Sequence, residues 1–398
     1  MKTIIHIIYS HKAFDDRVFF KEAVSLSKKY RTIILSGTKD GKLLDMGGNV
    51  HESGKYYDVE IYGFTVNLKK DFYSRIIRRI RRRLNLVKLQ DHSSLYKKIK
   101  ELNLKPDMIH IHEPSLLSAI PKLKNKYSCK VIFDCHEYHY AYFQEQDFSS
   151  DKNIKLAAKE LEKFRGYFNF CDGIINVTKT MEAVNWFIKP NIKHITIQNS
   201  TLINKVSNKS IPTFPVSLVH EGAMSFSRGL KLMIEMFEDS WFRDNIRLKI
   251  VGELSGKEAE YFSQKAAQFP YLKDCINVSG WVAYEDLHKH VSGDIGLIFF
   301  EKFPNNYLGM PNKLFNYIGS GIPVLTVELL EIGRVIDSFE CGLMVNRDLS
   351  SIKNGIIEII QNYGKYIEGV ERAKKPLSWE HDEKKLLDFY ADLLGDAQ

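Results

Sequence analysis

Phe303-Pro304-Asn305-Asn306-Tyr307-Leu308-Gly309-Met310-Pro311-Asn312-Lys313-Leu314-Phe315-Asn316-Tyr317-Ile318-Gly319-Ser320-Gly321-Ile322-Pro323 reads as a loop, a short helix and a turn in one sweep. Gly309 and Pro311 open the helical pattern Asn312–Ile318, and Gly319 and Gly321 stop it. An apolar run, Ile295–Phe299, precedes the segment, and a second, Pro323–Val327, follows it. Two apolar runs joined by a helix form a parallel βαβ unit, so the surrounding chain is predicted to be α/β.

The same alternation extends outward. Ser217–His220, Arg247–Val251, Ile276–Val278 and Leu343–Val345 complete a second half of predicted strands. Helical patterns fall between them at Leu230–Phe237, Lys257–Ala267, Tyr284–His290 and Leu349–Tyr363. The first half predicts strands at Thr3–Tyr9, Arg31–Ser36, Met108–Ile111, Lys130–Phe133, Gly173–Val177 and His194–Gln198. Asp15 or Asp16 is suited to cap its first helix, which carries Val18, Phe19, Ala23, Leu26 and Tyr30 at helical spacing. Thr201–Pro215 has no strong period and reads as a linker. The expected organisation is a first doubly wound domain over 1–205, a second over 206–378, and a packing helix within 379–398.

Composition narrows the class. The chain has 398 residues, 44% hydrophobic and 27% charged, with 24 Gly and 11 Pro. That excludes collagen-like, coiled-coil and largely disordered chains. No apolar run approaches the ~20 residues of a membrane span. The opening Met1-Lys2-Thr3-Ile4-Ile5-His6 reads as a first strand and not as a signal peptide. Five widely spaced cysteines, with no Cys-x-x-Cys, fit reduced thiols in a cytoplasm.

Two facing doubly wound domains bind ligands outside the carboxyl ends of their strands. Candidate residues therefore lie just after strands. Ser10-His11-Lys12 follows the first strand without a Gly-x-Gly-x-x-Gly, which disfavours a dinucleotide cofactor, and the next helix N-terminus offers N–H groups to an anion. His110-Ile111-His112-Glu113 puts two histidines on one strand face. They read either as packed residues or as a strand tip at which His112 meets a substrate hydroxyl; a metal needs a third ligand that the sequence does not point to. His136 and Tyr138, after the next strand, suit a sugar ring or a solvated loop. In the second half Gly222 and Arg228 mark a strand-to-helix junction, where Arg228 is either a diphosphate cation or an ordinary surface arginine. Gly252 closes the following strand. Lys313, in a first helical turn, is unfavourable there unless an anion binds.

These motifs resemble, over nearly the whole chain, retaining glycosyltransferase family 4, whose members have the two-domain GT-B fold. Asp15-Asp16-Arg17-Val18, His110-Ile111-His112-Glu113-Pro114, Gly222–Gly229, Gly280-Trp281-Val282, Pro311-Asn312-Lys313-Leu314-Phe315-Asn316-Tyr317 and Ser378-Trp379-Glu380 carry the resemblance, in order. It implies donor contacts at Gly222, Arg228, Gly252, Val282, Pro311, Asn312, Lys313 and Asn316, a catalytic role for His112, and acceptor contacts at His11, His136 and Tyr138. It implies a nucleotide-sugar donor, UDP-linked, transferred with retention and with neither metal nor cofactor; no Asp-x-Asp occurs in the chain. Three departures stand out. The family's paired glutamates fall on Leu308 and Asn316, and an arginine of its diphosphate loop falls on Ala223. Glu301 is the candidate replacement carboxylate.

Net charge is +8, and residues 69–88 carry all of it: nine Lys/Arg against Asp71. Phe72, Ile76, Ile80, Leu84 and Val87 share one helical stripe beside Arg75, Arg78, Arg79, Arg81, Arg82 and Arg83. Such a helix suits an anionic membrane surface, with a solvated helix or nucleic acid as rivals; the expectation is membrane and no nucleic acid. The expected protein is a cytoplasmic glycosyltransferase, peripheral on the inner membrane face, that extends a glycan or lipid-linked acceptor in bacterial surface-polysaccharide synthesis. A catalytically silent partner subunit and a nucleotide-sugar epimerase are the alternatives.

Overall fold

The computed structural model describes residues 1–66, 92–138, 150–201 and 210–396. Its first sheet holds β1 (Thr3–Ile8), β2 (Arg31–Thr38), β5 (Gly54–Tyr56), β6 (Val59–Thr65), β7 (Met108–Ile111), β8 (Lys130–Cys135), β9 (Gly173–Asn176) and β10 (Lys193–Thr196). Two short strands, β3 (Leu43–Leu44) and β4 (Val50–His51), pair separately. The main order is β10-β9-β8-β7-β1-β2-β6-β5. Every pairing is parallel except the edge strand β5 on β6.

The second sheet holds β11 (Val216–Glu221), β12 (Ile246–Val251), β13 (Ile276–Val278), β14 (Ile295–Ile298), β15 (Val324–Val327) and β16 (Gly342–Val345). Its order is β13-β12-β11-β14-β15-β16, all parallel. Both sheets reverse strand order at their first strand, between β1 and β7 and between β11 and β14. Those reversals open a crevice at the strand carboxyl ends.

Alternation explains the layering. β1 is buried on both faces, as parallel strands are. Ile5, Ile7, Ile109, Ile111, Val131 and Phe133 meet Leu117, Phe164, Phe168 and Met181 from helices on one side. Ile4, Met108 and Ile132 meet Trp379, Leu386 and Tyr390 on the other. Helix Trp379–Leu394, capped by Ser378, thus covers the first sheet after the chain has built the second. It is fastened there by Trp379 Nε1 donating to Ser25 Oγ at 3.1 Å and Ser200 Oγ donating to Asp382 at 2.7 Å. All five cysteines are free and buried.

Three local features depart from expectation. Val59–Thr65 is the third parallel strand, although its Glu60, Tyr62 and Gly63 break the apolar run that marks the others. The first helix begins with wide turns over Asp16–Ala23, where Phe20 N–H also reaches Asp15 O at 3.3 Å, before an α-turn at Val24–Ser27. The helical pattern Leu349–Tyr363 ends at Gln361, and a separate helix, Tyr363–Lys374, follows after Asn362.

Candidate functional site

On the first-domain side, two carboxylates build the wall from below. Glu113, after β7, accepts the N–H groups of Tyr9, Ser10 and His11 at 2.9, 2.8 and 3.0 Å through one oxygen. Asp15 caps the wide helix by accepting from Arg17 N–H and Val18 N–H at 2.9 Å each. The helix N-terminus expected to receive an anion is therefore satisfied internally. Asp15 also holds His11 at 3.1 Å. Burial lowers the His11 imidazole, but the Asp15 hydrogen bond and the Asp15, Glu113 and Asp134 charges outweigh it and raise it to about 9.

Behind this wall lies a buried polar chain. His6 on β1 stands in register with His110 on β7. His6 Nδ1 meets His112 Nε2 at 2.9 Å, and Tyr390 Oη meets His110 Nδ1 at 2.5 Å. His136 Nε2 lies 2.6 Å from Asp134 Oδ2. Arg17 grips both Asp134 oxygens, at 2.9 and 3.0 Å, and approaches Glu22 at 3.1 Å. Burial lowers His112 to about 4, and His6 and His110 well below the ordinary range, so these rings are neutral. Burial and the neighbouring Asp134 raise Glu22 well above a normal carboxyl. The fold also changes the argument about metals. His6 and Glu22 join His110 and His112, with one possible ligand atom from each within 4.8 Å of the others. The third and fourth donors come from distant segments that spacing alone could not connect.

The second-domain side carries the cations. Helix Asn312–Gly319 starts without a side-chain cap; Leu314 N–H turns back to Pro311 O at 3.1 Å, which leaves the Asn312 and Lys313 N–H groups to face a ligand. Lys313 is buried, with Nζ 2.9 Å from His220 Nε2. Burial lowers Lys313 to about 7, against the raising effect of Glu221, and Arg228 lowers it further. Glu221, the last residue of β11, accepts from Asn316 Nδ2 at 3.2 Å. Gly222 adopts φ +93°, and a Cβ on Gly252 would stand 2.3 Å from Gly222 O, so both strand ends need glycine. Arg228, Lys313, Gly222, Pro311, Asn312 and Glu221 share a cavity of about 480 Å³ with His136 and Asn199 of the first domain. A second cavity of about 580 Å³ continues from it along His11, Asp16, His112, His136 and Asn312. The domains touch here: Asn312 Nδ2 lies 3.4 Å from Asp16, and Tyr138 N–H donates to Asn305 at 3.0 Å.

Several candidates fall elsewhere. Glu301 pairs with Arg347 at 2.6 Å and lines neither cavity, so it is not brought to the cations. Tyr138 is buried, with 1% of its surface exposed, and meets the second domain through its backbone. Val282 packs at the edge of the second core and lines neither cavity. Asn316 reaches the site only through Glu221. Leu308 packs against the first domain's core, and its carbonyl accepts from Thr178 Oγ1 at 3.4 Å. The basic segment 69–88, with Arg75, Arg78, Arg79, Arg81, Arg82 and Arg83, lies outside the described residues. No described helix is long and apolar enough to cross a membrane. Glu221 and His220 were missed by the sequence reading. Their signal was present, a polar pair closing an apolar strand immediately before Gly222.

Residues 215–362 match the family model described as "Glycosyl transferases group 1". No curated protein matches the chain. Among solved structures, sucrose-phosphate synthase from Thermosynechococcus elongatus superposes with a TM-score of 0.70 at 12% identity, covering 100% of both chains. A glycosyltransferase from Rickettsia africae gives 0.66 at 14% identity, covering 100% of this chain and 99% of its own. HepE from Anabaena, solved with UDP-glucose, gives 0.66 at 13% identity over 98% of this chain and 100% of its own. The chain has the GT-B fold, and its second domain matches the group 1 glycosyltransferases.

Proposed function

We propose that this chain is a glycosyltransferase that moves a sugar from a UDP-linked donor, with retention, to a glycan or lipid-linked acceptor of bacterial surface-polysaccharide synthesis. The observation that carries the reading is the junction of Lys313, Arg228 and the uncapped N-terminus of helix Asn312–Gly319 in one interdomain cavity. Two cations and a helix dipole at one point suit a diphosphate leaving group. As the anomeric bond breaks, negative charge grows on the departing phosphate, and groups already aimed there stabilise it without reorganising. That charge balance asks for no metal. The departing phosphate accepts the acceptor's proton, so no protein base is needed. His112 lines the adjoining cavity as a neutral ring, with Nε2 on His6 at 2.9 Å and Nδ1 3.4 Å from His136, so a sugar hydroxyl would have to take the place of the longer His136 contact. The solved structure of HepE with UDP-glucose supports a nucleotide-sugar donor.

The test is calorimetric titration with UDP, GDP and ADP, first without metal and then with Mg²⁺. Metal-free binding selective for UDP is expected; no binding by any of the three overturns the reading. Anomeric analysis of product by NMR then checks retention.

One observation favours a second reading. Leu308 packs a half-buried apolar side chain against the first domain where the resemblance leads one to expect a carboxylate. A catalytically silent partner subunit would carry that change without penalty. Donor turnover by the purified chain alone excludes it, whereas turnover only with a second protein supports it.

A further inference from the structure

Glu221 is a carboxylate in an unusual position. It ends β11 at the point where strand order reverses, with 8% of its surface exposed. Its backbone N–H donates to Tyr317 Oη at 2.9 Å, which fixes the strand end. Tyr317 Oη in turn lies 3.1 Å from Val219 O and 3.3 Å from Leu297 O, so β11, β14 and helix Asn312–Gly319 are locked together beneath it. The Glu221 side chain has one hydrogen bond, from Asn316. Among the described residues no cation pairs with it within 4.0 Å. It nevertheless lines the cavity that holds Lys313 and Arg228. A nearly buried carboxylate with spare acceptor capacity needs donors, and the cavity is where they can come from.

The chemistry of those donors is constrained. A third cation is a poor fit, because Lys313 and Arg228 already occupy the cavity. A further phosphate is excluded by like charge. Neutral hydroxyls suit an acceptor-only group, and two vicinal hydroxyls match two carboxylate oxygens. On a nucleoside diphosphate the ribose diol lies one bond system from the phosphates, as Glu221 lies beside the phosphate cations. Carboxylates hold ribose hydroxyls in other doubly wound sheets by the same logic. We propose that Glu221, steadied by Asn316, receives the ribose hydroxyls of the nucleotide and makes the site selective for ribonucleotides. This rests on the nucleotide-sugar reading above and adds a residue to it.

The experiment compares UDP with 2′-deoxy-UDP by calorimetry on the full chain and on Glu221→Gln, with Asn316→Ala as a milder variant. A hydrogen bond to a charged group contributes about 1.5–3 kcal/mol, so the native chain should bind UDP roughly tenfold or more tighter than 2′-deoxy-UDP. In Glu221→Gln the ratio should fall toward one through loss of UDP affinity, with 2′-deoxy-UDP little changed. Asn316→Ala should reduce the ratio without abolishing it. Equal weakening of both ligands overturns the proposal, since Glu221 would then act only on the charge of Lys313. A native chain that binds UDP without discrimination overturns it too. A native chain that binds none of UDP, GDP or ADP overturns the nucleotide-sugar reading itself, which separates the two failures. Unchanged thermal unfolding of the variants shows that the fold survives.

Discussion

Lys313 is a cation in a place that works against its charge. Burial lowers it to about 7, so near pH 8 the empty site holds a largely neutral amine beside His220. A diphosphate reverses that balance by supplying two negative charges at hydrogen-bonding range. Ligand binding should therefore draw protons from solution. Calorimetry of UDP binding in buffers of different ionisation enthalpy should show little uptake at pH 6 and an uptake approaching about one proton near pH 8. Lys313→Met should abolish the uptake and weaken UDP strongly. The sign follows from linkage. A folded-state lysine with a lowered pKa binds fewer protons than the unfolded chain between about 7 and 10.5, so its contribution to stability rises with pH across that window. The buried neutral histidines act in a lower window: the unfolded chain protonates them first, so their contribution to stability falls as pH drops through about 6.5.

At the scale of elements, loop and strand are tied by side chains that sequence spacing does not connect. Glu113→Ala releases three backbone N–H groups of the Tyr9–His11 loop at once and should destabilise the first domain by about 3 kcal/mol, read as a lower urea midpoint. Glu113→Gln retains an acceptor and should lose less. Much of the architecture was legible: Ile295–Ile298 and Val324–Val327 are strands within the runs Ile295–Phe299 and Pro323–Val327, because parallel strands buried on both faces are largely apolar. Val59–Thr65 was not legible, since polar and glycine residues interrupt it near a sheet edge where burial is partial. The cations of the site could be read because Lys313 and Arg228 sit beside turns with their own signals. Glu22 and His6 could not, because they acquire meaning only when a helix is laid across two strands. The pairing of Glu301 with Arg347, 46 residues further on, could not be read from spacing either.

Across the whole molecule, side-chain and backbone hydrogen bonds join the two halves at the cleft. Leu308 contributes an apolar one, supported by Tyr138 N–H to Asn305 and Thr178 to the Leu308 carbonyl. Leu308→Glu places a charge against the first domain's core, where desolvation opposes it. The expected outcome is separation of the domains, seen as a larger radius of gyration in small-angle scattering. UDP affinity should change little, because Leu308 does not line the cavity of Lys313 and Arg228. The helix Trp379–Leu394 has a different kind of consequence. It seals the face formed by Ile4, Met108 and Ile132, yet it is synthesised after the entire second domain. On the ribosome, the first domain to emerge is therefore the last to be finished. Its sheet must wait with one greasy side uncovered while about half the chain is still being made, the period in which nascent proteins depend on chaperones and are exposed to aggregation.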